Sequence, residues 1–264
     1  MSMHDRAAFG DWGRGELTDT AGTRMYAAVL GNTDAPDVVC VHGLGCSHRY
    51  FRPVAQALAP DVRVVAPNLP GFGRTDGPRR ALDIRGLSLA LADWLRATDR
   101  GGSLLLANSM GCQIVVDLAV HSPQLLGPVV LAGPTMDRNA RSARQQVARL
   151  TVDQFRERLS LWPVLAQDYV VCGPVRFVQT FRYALADPIE TKLHHVQVPA
   201  VVVRGERDSI VPHEWAQEVA DRLPRGRLVE VPGAPHALNW SAPRELADVV
   251  RGTLLEMRSG DRHE

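Results

Sequence analysis

At 264 residues, with 45% apolar and 22% charged side chains, the chain has the size and balance of one globular domain with room for a smaller insertion. A formal net charge of +1 excludes the basic footprint of a nucleic-acid binder. No stretch approaches the roughly 20 apolar residues of a membrane span.

The first segment, "MSMHDRAAFGDWGRGEL", carries acids and glycines and lacks the apolar core of a secretory leader. A cytoplasmic protein with no membrane partner is therefore expected. Short β-branched runs then alternate with helical patterns. Strands are predicted at "TRMYAAVLG" (23–31) and "DVVCVHG" (37–43), and a helix at "RPVAQALA" from Arg52. "VRVVAPN" (62–68) is a strand, and "IRGLSLALADWLRAT" shows the three-and-four apolar spacing of a helix. "SLLLAN" (103–108) leads through Ser109 straight into the helix "CQIVVDLAVHSP", which Pro123 stops. "GPVVLAG" (127–133), "PAVVVRG" (199–205) and "GRLVEVPG" (226–233) are further strands. "HEWAQEVADRLP" and "APRELADVVRGTLLEMR" supply the closing helices, each begun near a proline. Strands this continuously apolar have no wet face, so the fold class is α/β: a mostly parallel central sheet flanked by helices on both faces.

Residues 134–195 break the alternation, with helical stretches and no convincing strand. They are expected to be a helical cap inserted between late core strands, leaving 1–133 and 196–264 as the core. Arg138, Arg141, Arg144, Arg149, Arg156 and Arg158 of this segment are read as a solvated face. "LSLWPVL" around Trp162 is expected to pack as core, with pocket lining the other reading. The four cysteines, Cys40, Cys46, Cys112 and Cys172, form no C-x-x-C pair, so free buried thiols are expected rather than disulfides or metal ligands.

Ligands of open parallel sheets bind at the carboxyl ends of the strands, and Leu44, Ser109, Asp208 and His236 all lie there. A strand-turn-helix elbow at Ser109 lifts its hydroxyl clear of the sheet, beside the free N–H groups of a helix start. A serine there is equally a helix-capping residue. His236, in the Gly/Pro-rich "VPGAPHALNW", has little packing reason to be histidine and can take the Ser109 proton. Asp208 would orient its other ring nitrogen; Asp137 is the rival acid, set aside because Asp208 lies on the loop next to that of His236. The glycines of "VHGLG" allow the Leu44 amide to turn inward and form an oxyanion hole with the Met110 amide. His42 is read as a brace for that loop. His121, His194, His195 and His213 are read as surface or capping residues.

On these residues the chain resembles the α/β-hydrolase superfamily. The matching stretches are "VCVHGLGCSHRYF", "VVAPNLPGFGRTDGP", "LLLANSMGCQIVVDLA", "VPAVVVRGERDSIVP" and "VPGAPHALNWSAPRELADVV", in the family's order. The resemblance implies Ser109 as nucleophile, Asp208 as acid, His236 as base, and Leu44 and Met110 as oxyanion donors, with no cofactor or metal. Ala107 replaces the usual first elbow glycine, Cys112 a later one, and Pro235 a frequent glycine before the histidine. A serine nucleophile argues against the dehalogenase and epoxide-hydrolase branches. The expected activity is hydrolysis of a small-molecule carboxylic ester, lactone or thioester through an acyl-enzyme. Carbon–carbon hydrolysis of the meta-cleavage-product type is the alternative, disfavoured by Ala237 where those enzymes carry tryptophan; a non-catalytic ligand receptor is the third.

Overall fold

The computed structural model describes residues 11–260, and the leader-free reading of residues 1–10 lies outside them. Its sheet has eight strands in the order β1-β2-β4-β3-β5-β6-β7-β8. These are β1 (Arg14–Thr20), β2 (Thr23–Leu30), β3 (Asp37–Val41), β4 (Arg63–Pro67), β5 (Leu104–Asn108), β6 (Val129–Ala132), β7 (Ala200–Gly205) and β8 (Gly226–Val231). From β4 through β8 every neighbouring pair is parallel, whereas β1 and β2 join antiparallel.

β1 is a strand that the apolar pattern does not reveal. "RGELTDT" has no apolar run, yet it pairs with β2 from Arg14 opposite Val29 to Thr20 opposite Thr23. Ala21 and Gly22, at φ 51° and 71°, close the hairpin. An outermost strand that is polar resists recruiting another chain, so the property that hides β1 in the sequence suits its place at the edge.

The continuous apolar strands are explained by two core layers. In β5, Leu105 and Ala107 face one layer with Val39, Val41 and Leu131, while Leu104 and Leu106 face the other with Val38, Cys40 and Val130. The first layer is completed by α2 (Ile84–Ala97), α3 (Met110–His121) and, further along the chain, His213–Arg222; the second by α1 (Arg52–Leu58) and the C-terminal helix Pro243–Gly260. Each buried Leu, Ile or Val contributes roughly 1.5–3 kcal/mol relative to exposure, so both faces of the sheet must be covered.

Between β6 and β7 the described residues hold only helices and short helical turns: α4 (Ala143–Gln154), α5 (Trp162–Cys172) and α6 (Pro174–Ala186). The helices after β7 are α7 (His213–Arg222), α8 (Leu238–Ser241) and α9 (Pro243–Gly260). The solvated-face reading of the arginines is corrected for Arg141 and Arg149, which are only partly exposed. Arg141 pairs with Glu190, Arg149 with Asp137 and the Ile210 carbonyl, Arg138 with Glu218, and Arg156 with the Arg207 carbonyl. Arg138, Arg149 and Arg156 reach the sheet domain and Arg141 ties the insertion to itself, while Arg138, Arg144, Arg156 and Arg158 are exposed as expected. A buried tie does the same on the other side: Asp168 of α5 accepts hydrogen bonds from Ser47 Oγ at 2.8 Å and Arg49 Nη1 at 2.9 Å. Trp162 is 40% exposed, and its neighbours Leu161, Val164 and Leu165 are the buried residues of that stretch. All four cysteines are free and buried. Among the described residues, no helix is long and apolar enough to cross a membrane.

Candidate active site

Ser109 stands between the last residue of β5 and the first of α3 with φ 56° and ψ −124°. A non-glycine residue in the left-handed region stores strain of order 1–3 kcal/mol, and the neighbours are small because they must be. A Cβ on Gly111 would lie 2.3 Å from the Val41 carbonyl oxygen, and Ala107 is fully buried. The Cys112 thiol fits the same space, 3.5 Å from the Ala107 carbonyl oxygen. The Ser109 side chain makes no capping hydrogen bond to α3, so the capping alternative does not hold and the hydroxyl is left to the cavity.

The loop after β3 runs directly against this elbow. A Cβ on Gly43 would sit 3.0 Å from Ser109 Cβ. His42 holds the loop from beneath: its Nε2 accepts from the Leu69 amide at 3.1 Å, so its Nδ1 carries the proton and donates to the Gly43 carbonyl at 2.9 Å. Burial lowers His42 to about 4, which keeps it neutral and suited to that double role. Leu44 and Met110 line the same cavity as Ser109. Met110 opens α3, where a helix amide has no intrahelical acceptor.

His236 lies in the loop after β8, buried, with Nδ1 2.8 Å from Asp208 Oδ2. Asp208 is itself held by two main-chain amides, which donate to its Oδ1 from Ile210 at 2.8 Å and Val211 at 2.9 Å. A carboxylate so bonded accepts from Nδ1–H, which leaves Nε2 as the free nitrogen. That atom is buried and makes no hydrogen bond among the described residues. Burial disfavours a charged imidazole, but the Asp208 carboxylate, with Asp153 and Glu157 adding to it, outweighs burial and pushes His236 up to about 9. The rival acid, Asp137, is instead bonded to Arg149 Nη1 at 2.8 Å.

Ser109 and His236 line one cavity of about 380 Å³. No hydrogen bond joins the Ser109 hydroxyl to Nε2 in this structure; such contacts commonly tighten only in the complex with substrate. The cavity's far walls are apolar and come largely from the insertion, with Leu150, Phe155, Leu161, Leu165, Phe177 and Phe181 among them.

Two lining residues escape the sequence reading. Asp153, the penultimate residue of α4, accepts the His236 amide at 3.3 Å, and Glu157, one turn beyond, accepts the Ala237 amide at 2.6 Å. The four-residue spacing puts both carboxyls on one side of the chain, the only signal present, and it is masked by the arginines around them. Burial raises both, Glu157 to about 7.

Comparison with known proteins shows the family and the fold. Residues 38–249 match the alpha/beta hydrolase family. The chain belongs to that family, and it is a hydrolase by class. It is similar to a putative carbamate hydrolase RutD of Pseudomonas savastanoi pv. phaseolicola, 26% identical over 238 residues, covering 80% of this chain and 91% of the relative. Among solved structures it is similar to a thermophilic esterase from Thermogutta terrifontis, with TM-score 0.78, 18% identity, and coverage of 92% of this chain and 99% of the esterase. The enol-lactonase from Burkholderia xenovorans superposes with TM-score 0.74 at 19% identity, covering 91% of this chain and all (100%) of the enol-lactonase.

Proposed function

We propose that the protein is a serine hydrolase of small-molecule carboxylic esters, lactones or thioesters, with Ser109 as nucleophile, His236 as base and Asp208 as the residue that orients it. The observation that carries this reading is an Asp208-oriented imidazole with a free Nε2, lining one cavity with a strained, non-capping serine.

The reaction follows from the atoms. Neutral His236 takes the Ser109 proton on Nε2 as Oγ adds to the substrate carbonyl. The Leu44 and Met110 amides hold the oxyanion of the tetrahedral intermediate. As the intermediate collapses, the imidazolium gives its proton to the departing alcohol, enol or thiol, leaving an acyl group on Ser109. Water, deprotonated by the same nitrogen, then releases the acid. The insertion, residues 134–195, acts as the cap that shapes the pocket, and its apolar wall favours substrates with an apolar body around the reacting carbonyl. The carbamate, ester and enol-lactone substrates named for the similar proteins all present a carbonyl bearing a heteroatom leaving group, which supports acyl transfer.

The test is an ester, lactone and thioester panel with Ser109→Ala, together with labelling by a fluorophosphonate probe. Loss of turnover by roughly 10⁴-fold or more and loss of labelling are expected. Wild-type turnover by Ser109→Ala on any panel substrate sinks the acyl-enzyme for that substrate. A wild-type protein that is folded yet fails to label favours a ligand receptor, and turnover of a dienol diketo acid without ester cleavage favours the carbon–carbon hydrolase.

A further inference from the structure

The loop that carries His236 is tied to the sheet domain as far as Ala234, where the Gly233 amide donates to Glu206 Oε2 at 2.7 Å and the Ala234 carbonyl accepts from the Arg207 amide at 2.9 Å. It is built from "VPGAPHA", with a positive φ at Gly233 and two prolines, and it leaves β8 without entering another strand. Its Nδ1 is anchored by Asp208, but a single hydrogen bond fixes neither the ring's depth nor its tilt. At His236 and Ala237 the main-chain amides are held by the insertion. Asp153 Oδ1 receives the His236 amide at 3.3 Å, with Ser209 Oγ at 3.5 Å beside it. Glu157 receives the Ala237 amide on one oxygen and Ser241 Oγ on the other, both at 2.6 Å. Both side chains are buried, at 4% and 8% residue exposure, and both line the cavity.

We propose that Asp153 and Glu157 are positioning residues for His236, a buried carboxyl pair supplied by the helical insertion that clamps the His236 and Ala237 amides. The inference rests on His236 being the base of the proposed reaction. It makes the insertion more than a pocket wall: seating α4 against the sheet domain, through Arg149 and its bond to the Ile210 carbonyl, also sets the place of the imidazole.

The groups facing the pair are His236 from the loop after β8, Asp208 from the loop after β7 and Tyr50 from the turn before α1. Of these only His236 can carry positive charge. The pair's negative charge therefore acts on the imidazole in the same direction as Asp208, favouring its protonated form. A purely structural clamp has no such electrostatic effect, and this separates the two roles.

The experiment reads the rate of fluorophosphonate labelling of Ser109 against pH, which needs no knowledge of the natural substrate. In wild type the rate rises as His236 loses its proton. Asp153→Asn keeps an oxygen for the His236 amide and removes the charge, so the rising limb is expected to move to lower pH with the plateau within about threefold of wild type. Asp153→Ala/Glu157→Ala removes both acceptors, and the plateau is expected to fall at least tenfold, with KM for an ester substrate changed much less than kcat. Glu157→Gln, which keeps an oxygen for the Ala237 amide, is expected to retain the plateau. Folded Asp153→Asn and Asp153→Ala/Glu157→Ala proteins with the wild-type limb and plateau overturn the proposal. If the double variant does not fold, the limb of Asp153→Asn decides alone. Wild-type protein that never labels at Ser109 overturns the parent reading, and the clamp with it.

Discussion

Gly133→Ala is the sharpest perturbation of the candidate site that leaves every proposed catalytic side chain in place. Gly133 follows β6 at φ 59°, and a Cβ there would lie 2.8 Å from both Cε1 and Nδ1 of His236 and 3.3 Å from Asp208 Oδ2. Ordinary carbon contacts are about 3.5–4.0 Å, so one partner must retreat by roughly 0.7 Å or more. Asp208 is pinned by the Ile210 and Val211 amides, which directs the displacement to the imidazole. A misplacement near 1 Å costs on the order of 10²-fold in rate. The left-handed backbone adds a penalty of about 1–2 kcal/mol, a melting shift of roughly 2–8 °C for a domain of this size. Hydrolysis of an activated aryl ester and the fluorophosphonate labelling rate should both fall about 100-fold, while circular dichroism shows a folded protein melting only slightly earlier. A Gly133→Ala protein with wild-type rate refutes the proposed dependence of activity on the His236–Asp208 geometry.

Three further outcomes are expected. His42→Phe removes the acceptor of the buried Leu69 amide and the donor to Gly43, at about 1–3 kcal/mol per orphaned group; urea unfolding should register the loss, and unchanged stability argues against the brace. Gly111→Ser places a Cβ 2.3 Å from the Val41 carbonyl oxygen, so soluble yield and labelling of Ser109 should collapse together, and a well-folded, active variant contradicts the tight elbow. Glu157 has its folded pKa raised by burial to about 7 from an ordinary 4.5. Its contribution is thus fully present below the ordinary value and lost as pH rises through about 7. Glu157→Gln is therefore expected to gain stability relative to wild type as pH rises from 4.5 to about 7, and parallel pH–stability profiles of the two proteins refute the shift.

The sequence alone carries the layered sheet, because strands buried on both faces must be apolar at consecutive positions and the helices between them must show a three-and-four spacing. It carries the elbow for a similar reason: few residues but glycine and alanine survive where α3 leaves β5 against the Val41 carbonyl. Histidine and aspartate at strand ends are visible because such loops have little packing use for them. Other features depend on contacts distant in the chain. β1 is polar because its place is an edge, so nothing apolar marks it. Asp153 and Glu157 look like two acids in an arginine-rich surface helix until α4 lies against the His236 loop, where burial and the amides of residues 236 and 237 give them their character. The arginines split in the same way: Glu190, Asp137 and the Ile210 carbonyl, which only the folded chain brings near, draw Arg141 and Arg149 partly out of solvent, whereas Arg138, Arg144, Arg156 and Arg158 stay exposed. Local steric and burial demands are written into neighbouring residues, whereas the partners of long polar side chains are settled only when distant segments pack.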